Sequence, residues 1–261
     1  MLYRSHFFVD SNSRYVVINP YAKGGSNMAM TENLNVNNPV NMEADMRSWN
    51  INPDKTMHFL KGMAFGLGLE NTHKALNLAQ ALHKDQRRKS GAEYLVHPLR
   101  VCNELVALGF KNDDILLAAA LLHDVIEDNE HVRNDPDILI KEYELSPEVV
   151  ELVKLLTKYK GVSAADYYAR IGKDWRAILI KLSDRCNNVS TMDCFSYERM
   201  RKYIKETREF VLPLCHYGKV HHPRYGDAIT VMKYHITAVC SVAEGMLNDF
   251  QSGTVVTEST T

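Results

Sequence analysis

The sequence predicts an all-α protein, and three observations point to that fold class. From about Met57 onward, apolar residues recur at the three- and four-residue spacing of amphipathic helices. The sequence contains no run of alternating strand-like segments and no internal repeat. The most apolar run, residues 115–122, has high helix propensity and contains no proline.

Composition narrows the range of functions. The 261 residues include 31 basic and 32 acidic side chains, so the charge balance offers no polycation for nucleic-acid binding. The five cysteines are odd in number and form no C-x-x-C pair, which is typical of a reducing cytoplasm rather than of a disulfide framework. The longest apolar run is too short to span a bilayer. We therefore expect a cytoplasmic protein with no membrane and no nucleic-acid partner.

The two ends of the chain differ from its middle. Residues 1–55 are predicted to form an Asn-rich, poorly ordered leader, in which residues 15–18 suit a short strand that lacks an obvious partner. Residues 56–248 carry the helical pattern and are expected to form the folded domain. Residues 249–261 are rich in Ser and Thr and are expected to be a flexible tail.

Local signals place the helices in order. Pro98 suits the first position of a helix, with His97 at its cap and Gly109 at its end. The central, strongly apolar helix is predicted at residues 113–128. The later helices are predicted at residues 136–143, 147–157, 164–171, 174–188, 198–212 and 224–248.

The central helix ends in the polar stretch H-D-V-I-E-D, residues 123–128. In a continuous helix His123 and Glu127 lie four residues apart, as do Asp124 and Asp128, so all four groups project from one sector. A histidine and three carboxylates at the end of a buried helix need a cation, and a divalent metal is the simplest one. The alternative is a solvated last turn, although three acids there oppose the helix dipole.

A second polar stretch, residues 180–188, contains Asp184. Together His97, the His123-Asp124 pair and Asp184 would supply two nitrogen and two oxygen ligands, a set suited to Mn²⁺, Fe²⁺ or Zn²⁺. Taken singly, an Asp followed by Arg is more often a surface ion pair, and His97 is more often a capping residue. The ligand hypothesis therefore depends on the residues acting together.

As a set, these residues resemble a known family. They match the H…HD…D pattern of HD-domain metal-dependent phosphohydrolases. Longer segments with the patterns R-K-S-G, Y-x-x-H-P and H-D-x-x-E-D resemble, in order and spacing, the hydrolase domain of RelA/SpoT-type alarmone enzymes over roughly residues 70–245. The matching segments are residues 86–91, 94–98, 119–128, 157–158 and 181–188. The resemblance implies an HD-domain helical bundle of roughly eight to ten helices with a metal centre.

The resemblance also implies an activity, a cofactor and a set of roles. The enzyme would be a (p)ppGpp 3′-pyrophosphohydrolase that releases pyrophosphate, leaves GDP or GTP, and uses one Mn²⁺ ion. Its partner would be a guanine or adenine alarmone nucleotide. Whether the protein forms a homo-oligomer is left undecided by the sequence. The metal ligands would be His97, His123, Asp124 and Asp184. Glu127 and Asp128 would activate water, while Arg88, Lys89, Asn188 and Thr191 would form the nucleotide pocket.

Other functions stay open on the residues alone. The same metal centre would also serve a phosphohydrolase of another nucleotide, such as (p)ppApp or a dinucleotide phosphate. The fold would equally suit a non-catalytic nucleotide-binding or antitoxin-like protein, although the intact Glu127-Asp128 pair favours an enzyme. Because the chain ends without the downstream nucleotidyltransferase domain of long family members, we expect a small, hydrolase-only protein.

The sequence departs from the family pattern at two positions. Asp85 stands where the family often has Gly, and Asn187 stands where many members have His. Neither residue is an assigned ligand, so we expect tuning effects only. Three further histidines, His216, His221 and His222, lie in a Pro- and Gly-containing stretch that is predicted to be a polar loop. A zinc site is not expected there, since no cysteine pair accompanies them.

Overall fold

The computed structural model describes residues 7–9, 15–17, 52–88 and 91–251, with side chains described for 52–88 and 91–248. The chain divides into two compact units, residues 1–47 and 48–261. In the first unit, strands β1 (Phe7–Val9) and β2 (Tyr15–Val17) pair antiparallel. The strand predicted near residue 15 therefore has a partner that the sequence did not reveal. The rest of the predicted leader up to residue 51, and the tail from residue 252, lie outside the described residues.

The second unit is helical. Its α-helices are α1 (Pro53–Leu67), α2 (Glu70–Leu82), α3 (Val96–Leu105), α4 (Asp114–Leu122), α5 (Val125–Asp128), α6 (Glu130–Asn134), α7 (Ile138–Lys141), α8 (Pro147–Leu156), α9 (Ala164–Ile171), α10 (Trp175–Val189), α11 (Tyr197–Glu206), α12 (Leu212–His221) and α13 (Gly226–Gln251). Apart from the short helices α5, α6 and α7, each has at least eight residues. The predicted all-α bundle is confirmed. None of the helices in the described ranges combines the length and the apolar content needed to cross a bilayer.

One predicted loop is wrong. The helix expected at 198–212 is helical over that whole range, and it continues beyond it, because a π-helical segment, Thr207–Val211, joins α11 to α12. Helix α12 contains His216 and His221, which were expected in a polar loop. Pro213 lies in the first turn of α12, where a proline is well tolerated.

Helix α4 is the centre of the bundle. Each of its residues from Leu116 to Leu122 is buried, so this helix has no polar face and must be covered on every side. Helices α2, α3, α8 and α10 pack against it. The polar residues that follow Leu122 are consequently delivered to the interior of the protein.

Polar contacts at the N-terminus of α4 fix its position against two neighbours. The Asp113 carboxylate caps α4 and accepts a hydrogen bond of 3.1 Å from Arg176 Nε at the start of α10. The Asp114 carboxylate accepts backbone and side-chain hydrogen bonds from Asn71 and Thr72 in the first turn of α2. A carboxylate in this place satisfies N–H groups that a helix start leaves free.

The predicted helix at residues 113–128 is wrong as a continuous element. Helix α4 ends at Leu122, and His123 and Asp124 form a turn before α5. The Nδ1–H group of His123 donates to the carbonyl of Ala120 at 2.8 Å, and in an uninterrupted helix that carbonyl would accept the Asp124 N–H. The four polar side chains of this stretch therefore do not share one helical sector.

Helix α3 begins earlier than predicted. Its first residue is Val96 rather than Pro98, so His97 lies in the first turn and is not the cap. Shifts of one or two residues are common at helix ends. The His97 side chain is buried, which a capping role at the surface would not require.

Helix α10 is held in place by a buried cation. Arg185 donates to Thr207 Oγ1 at 3.0 Å, to Tyr168 Oη at 2.7 Å and to Glu206 Oε1 at 2.7 Å. Burying a guanidinium is costly, and these contacts pair both of its terminal nitrogens, whereas Nε makes no hydrogen bond. These bonds fix the rotation of α10 about its axis and so the direction of the neighbouring Asp184.

We predict that Asp114→Ala lowers the free energy of unfolding at pH 7 by about 1–3 kcal/mol, because it leaves donors of α2 without acceptors. Burial works to raise the pKa of Asp114, but the bonds from Asn71 and Thr72 outweigh it and lower that pKa. The stabilisation is therefore complete above the usual Asp pKa and is lost as the pH falls through the lowered one.

Urea unfolding at pH 7 and at pH 3 measures this effect. The difference between wild type and variant should shrink at the lower pH. Asp85→Ala, at an exposed turn position, is the matched control and should leave stability nearly unchanged. A difference for Asp114→Ala that is equal at both pH values would contradict the role of its carboxylate.

Candidate metal centre

The four predicted metal ligands lie together at one point. Nε2 of His97 is 3.2 Å from Oδ1 of Asp184 and 3.5 Å from Oδ2 of Asp124. Nε2 of His123 is 3.2 Å from Oδ2 of Asp124 and 3.9 Å from Oδ1 of Asp184. Helix α3, the turn after α4 and helix α10 contribute these groups. Two nitrogen and two oxygen atoms thus face one another in the interior.

Hydrogen bonds orient both imidazole rings. Nδ1 of His97 donates to Asn187 Oδ1 at 2.6 Å, and Nδ1 of His123 donates to the Ala120 carbonyl at 2.8 Å. Both acceptors are oxygen atoms, so the proton of each neutral ring lies on Nδ1 and the lone pair lies on Nε2. A hydrogen bond from the ring nitrogen that does not bind the metal fixes the tautomer of a metal-binding histidine. Asn187 therefore has a role that the sequence analysis assigned only as tuning.

The groups of the cluster shift one another's pKa. Burial works to lower the pKa of His123, but the Asp124 and Asp184 carboxylates outweigh it and raise that pKa to about 9. The same carboxylates raise the pKa of His97 against its burial. Burial in turn works to raise the pKa of both carboxyls, yet Lys181 and the histidines hold that of Asp184 well below its usual range, and the histidines do so for Asp124. The cluster attracts positive charge, as protons or as a cation.

A divalent cation suits this donor set. Nε2 of His123 is buried and makes no hydrogen bond, although a carboxylate oxygen lies 3.2 Å away. His97, His123 and Asp184 each offer one ligand atom within 4.8 Å of the others, and Asp124 supplies a fourth. Imidazole nitrogen with carboxylate oxygen is a typical set for Mn²⁺, Fe²⁺ or Zn²⁺.

Two residues that were not predicted as part of the site contact the carboxylates. Lys181 Nζ lies 2.7 Å from Asp184 Oδ2, and the Tyr94 hydroxyl donates to Asp124 Oδ2 at 2.6 Å. Lys181 precedes Asp184 by three residues in α10, and this spacing on one helix face indicates the contact from sequence alone. No sequence spacing indicates the contact of Tyr94 with Asp124, because Tyr94 lies in a turn before α3 and not on the same helix as its partner.

The acidic pair lies at the edge of the cluster. Burial raises the pKa of Glu127 and of Asp128, and the charge of Asp124 adds to the effect. Oε1 of Glu127 accepts the backbone N–H of Lys158 at 2.5 Å. The Tyr94 hydroxyl interacts with Asp128 as well as with Asp124. A carboxyl group with a raised pKa accepts a proton more readily near neutral pH.

Three of the four predicted nucleotide-pocket residues lie together. Nη2 of Arg88 donates to Asn188 Oδ1 at 2.9 Å and to Thr191 Oγ1 at 3.3 Å. Nδ2 of Asn188 donates in turn to Asp184 Oδ1 at 2.5 Å, which joins this group to the metal cluster. Lys89 lies outside the described residues.

A cavity lies beside the cluster, and the side chains of two lysines, Lys158 and Lys181, line it. His123, Glu127, Lys158, Tyr167, Lys181 and Asp184 are among its lining residues. The ammonium groups of Lys158 and Lys181 lie 5.6 and 5.5 Å from the centre of the Tyr167 ring. Two ammonium groups in the lining of a cavity provide countercharge for an anionic group.

Comparison with protein families gives one match over most of this region. The family model described as "HD domain" matches residues 75–216, more than half of the chain. The matched range begins in α2 and ends in α12, and it includes all ten residues proposed for the site.

Curated relatives align over a similar range. The "Guanosine-3′,5′-bis(diphosphate) 3′-pyrophosphohydrolase" of Aquifex aeolicus is 39% identical over 155 residues, which cover 56% of this chain and 21% of that protein. The "Bifunctional (p)ppGpp synthase/hydrolase SpoT" of Escherichia coli is 34% identical over 160 residues, covering 59% of this chain and 22% of that protein. The chain thus spans about a fifth of the length of these relatives.

A solved structure also aligns with the chain. It is described as "A metazoan ortholog of SpoT hydrolyzes ppGpp and plays a role in starvation responses". The alignment has a TM-score of 0.49 and 23% identity, and it covers 65% of this chain and 93% of the other.

We predict that Asn187→Ala weakens the binding of a divalent metal by about 10- to 100-fold, because the His97 ring loses the acceptor that fixes its tautomer. Titration of the metal-stripped protein with Mn²⁺, followed by the electron paramagnetic resonance of the free ion, measures the change. Thr191→Val is the matched control, since Thr191 bonds to Arg88 but to neither imidazole. Equal affinities for Asn187→Ala and wild type would contradict the role of the amide.

Proposed function

The chain belongs to the HD-domain family, and on that premise we propose that it hydrolyses the 3′-pyrophosphate of (p)ppGpp, releasing pyrophosphate and leaving GDP or GTP. One observation carries the proposal: two imidazoles and two carboxylates meet beside an acidic pair and an arginine-containing pocket. The names of the Aquifex and Escherichia coli relatives support the same activity. The cytoplasm is the proposed compartment, where the five cysteines, all free in the structure, would stay reduced.

His97, His123, Asp124 and Asp184 would hold one divalent cation, and we propose Mn²⁺, which accepts both imidazole nitrogen and carboxylate oxygen. When bound, the cation would supply Lewis-acid assistance and lower the pKa of a water molecule. Asn187 and the Ala120 carbonyl keep both histidines in the tautomer that presents Nε2. Lys181 holds Asp184 through Oδ2, the oxygen that does not face the histidines, whereas Tyr94 bonds to Asp124 Oδ2, the oxygen that does face them.

Glu127 is the proposed base for the attacking water. Its Oε1 atom is held by the Lys158 N–H, which leaves Oε2 to receive the proton. Its raised pKa suits that transfer. The water oxygen bonds to the phosphorus next to the ribose 3′-oxygen, the bond between that phosphorus and the 3′-oxygen breaks, and the 3′-oxygen takes up a proton. Asp128, beside Tyr94, would help to position the water.

The surroundings of the cluster suit the two ends of such a substrate. Arg88, with Asn188 and Thr191 fixed against it, would pack on the base and contact the ribose, because a guanidinium plane stacks on aromatic rings. Lys89 would add charge at this side. The ammonium groups of Lys158 and Lys181 would balance the negative charge of the pyrophosphate.

The substrate is tested with the purified full chain, Mn²⁺ and a panel of ppGpp, pppGpp, ppApp and a dinucleotide phosphate. We expect pyrophosphate and GDP or GTP in equal amounts from the guanine alarmones. Orthophosphate release, or turnover of another nucleotide only, would instead favour a different HD phosphohydrolase. Binding without turnover would favour a non-catalytic nucleotide-binding protein.

We predict different defects for two variants of the site. Asp124→Ala should abolish turnover and strongly reduce metal content, because it removes a ligand. Glu127→Gln should retain the metal and lose about 10²- to 10⁴-fold in rate, the usual contribution of a general base. Metal analysis of the purified variants and the initial rate of pyrophosphate release measure both effects. Full activity of either variant with a normal metal content would contradict the assigned role.

A further inference from the structure

A second group of metal-binding side chains lies outside the centre described above. Glu104, Cys186 and His235 each offer one ligand atom, and these atoms lie within 4.8 Å of one another. They come from three different helices, α3, α10 and α13. The group combines one sulfur, one nitrogen and one carboxylate oxygen as possible ligand atoms.

Neighbouring hydroxyl groups already orient two of these side chains. Ser183 Oγ donates to Glu104 Oε2 at 2.6 Å, and Ser190 Oγ pairs with His235 Nε2 at 2.8 Å. Ser183 belongs to α10, the helix that carries Cys186, and Ser190 is the residue that caps its C-terminus. Contacts of this kind orient the ligands of metal sites.

The group reaches from the core to the surface. Cys186 is buried, Glu104 is half-buried and His235 is exposed. The exposed histidine would give a cation a path of entry, and solvent at that side would supply a fourth ligand. Three protein ligands with a water in the fourth position is a familiar arrangement for Zn²⁺.

We propose that Glu104, Cys186 and His235 form a second divalent-metal site, of the thiolate-containing kind that Zn²⁺ prefers. In tetrahedral coordination, ligand atoms at ordinary zinc distances lie about 3.3–3.7 Å apart. The ligand atoms of this group lie within 4.8 Å of one another, close to this range. Thiolate and imidazole select borderline-soft cations such as Zn²⁺, whereas the other centre has no sulfur.

A cation in this site would connect the helices that build the first centre. Helix α3 carries both His97 and Glu104, and helix α10 carries both Asp184 and Cys186. Tying α3 and α10 to α13 would restrain the two helices that position the first set of ligands. The site would be structural, and it does not depend on the proposed alarmone activity.

Cobalt distinguishes the two sites, because a thiolate bound to Co²⁺ gives a sulfur-to-metal charge-transfer band and the N₂O₂ centre does not. The metal-stripped full chain is titrated with Co²⁺ while absorption and bound metal are recorded. We expect two equivalents of Co²⁺ and the charge-transfer band in the wild type. Zn²⁺ added afterwards should remove the band.

Four variants assign the band. His235→Gln changes an exposed residue and should lose the band and one equivalent, and Cys186→Ser, in the core, should do the same if it folds. His123→Gln should lose the other equivalent and keep the band, which separates this site from the hydrolytic centre. Cys194→Ser, which removes the exposed cysteine, is the control and should keep the band. A wild type without the band, a band that persists in His235→Gln, or a band lost in Cys194→Ser would overturn the proposal.

Discussion

Two imidazole nitrogens and two carboxylate oxygens packed together in a protein interior require positive charge beside them. The structure supplies part of that charge with Lys181, whose ammonium lies 2.7 Å from Asp184. The rest must come from protons on His97 and His123 or from a bound cation, and this explains the raised pKa of both rings. Affinity for a divalent metal is therefore a direct consequence of how the bundle is packed.

Two chemically different groups of side chains lie beside this cluster. Arg88 and Asn188 form a hydrogen-bonded group that reaches Asp184, whereas Lys158 and Lys181 line a cavity and both lie near the ring of Tyr167. The first combines a planar guanidinium with amide groups, and the second provides ammonium charge. A nucleotide with a base at one end and a pyrophosphate at the other presents the complementary chemistry.

The same helices carry two sets of potential ligands, and this follows from helical geometry. Residues two apart in a helix point in different directions, so Asp184 faces the first cluster while Cys186 faces α13. Arg185, between them, holds α10 in place through its paired bonds. One rigid helix thereby sets the geometry of both groups.

The sequence by itself determined the helical class and the strongly apolar central helix, because periodicity and residue type are local properties. The four candidate metal ligands were assigned through the resemblance of their motifs to a known family. The sequence did not determine that the central helix breaks at His123, since a side-chain bond to Ala120 competes there with the backbone. Only the tertiary structure decided the contacts of Tyr94 and Asn187, which join residues about 30 and 90 positions apart. Packing in three dimensions chooses such pairs, and no local pattern encodes them.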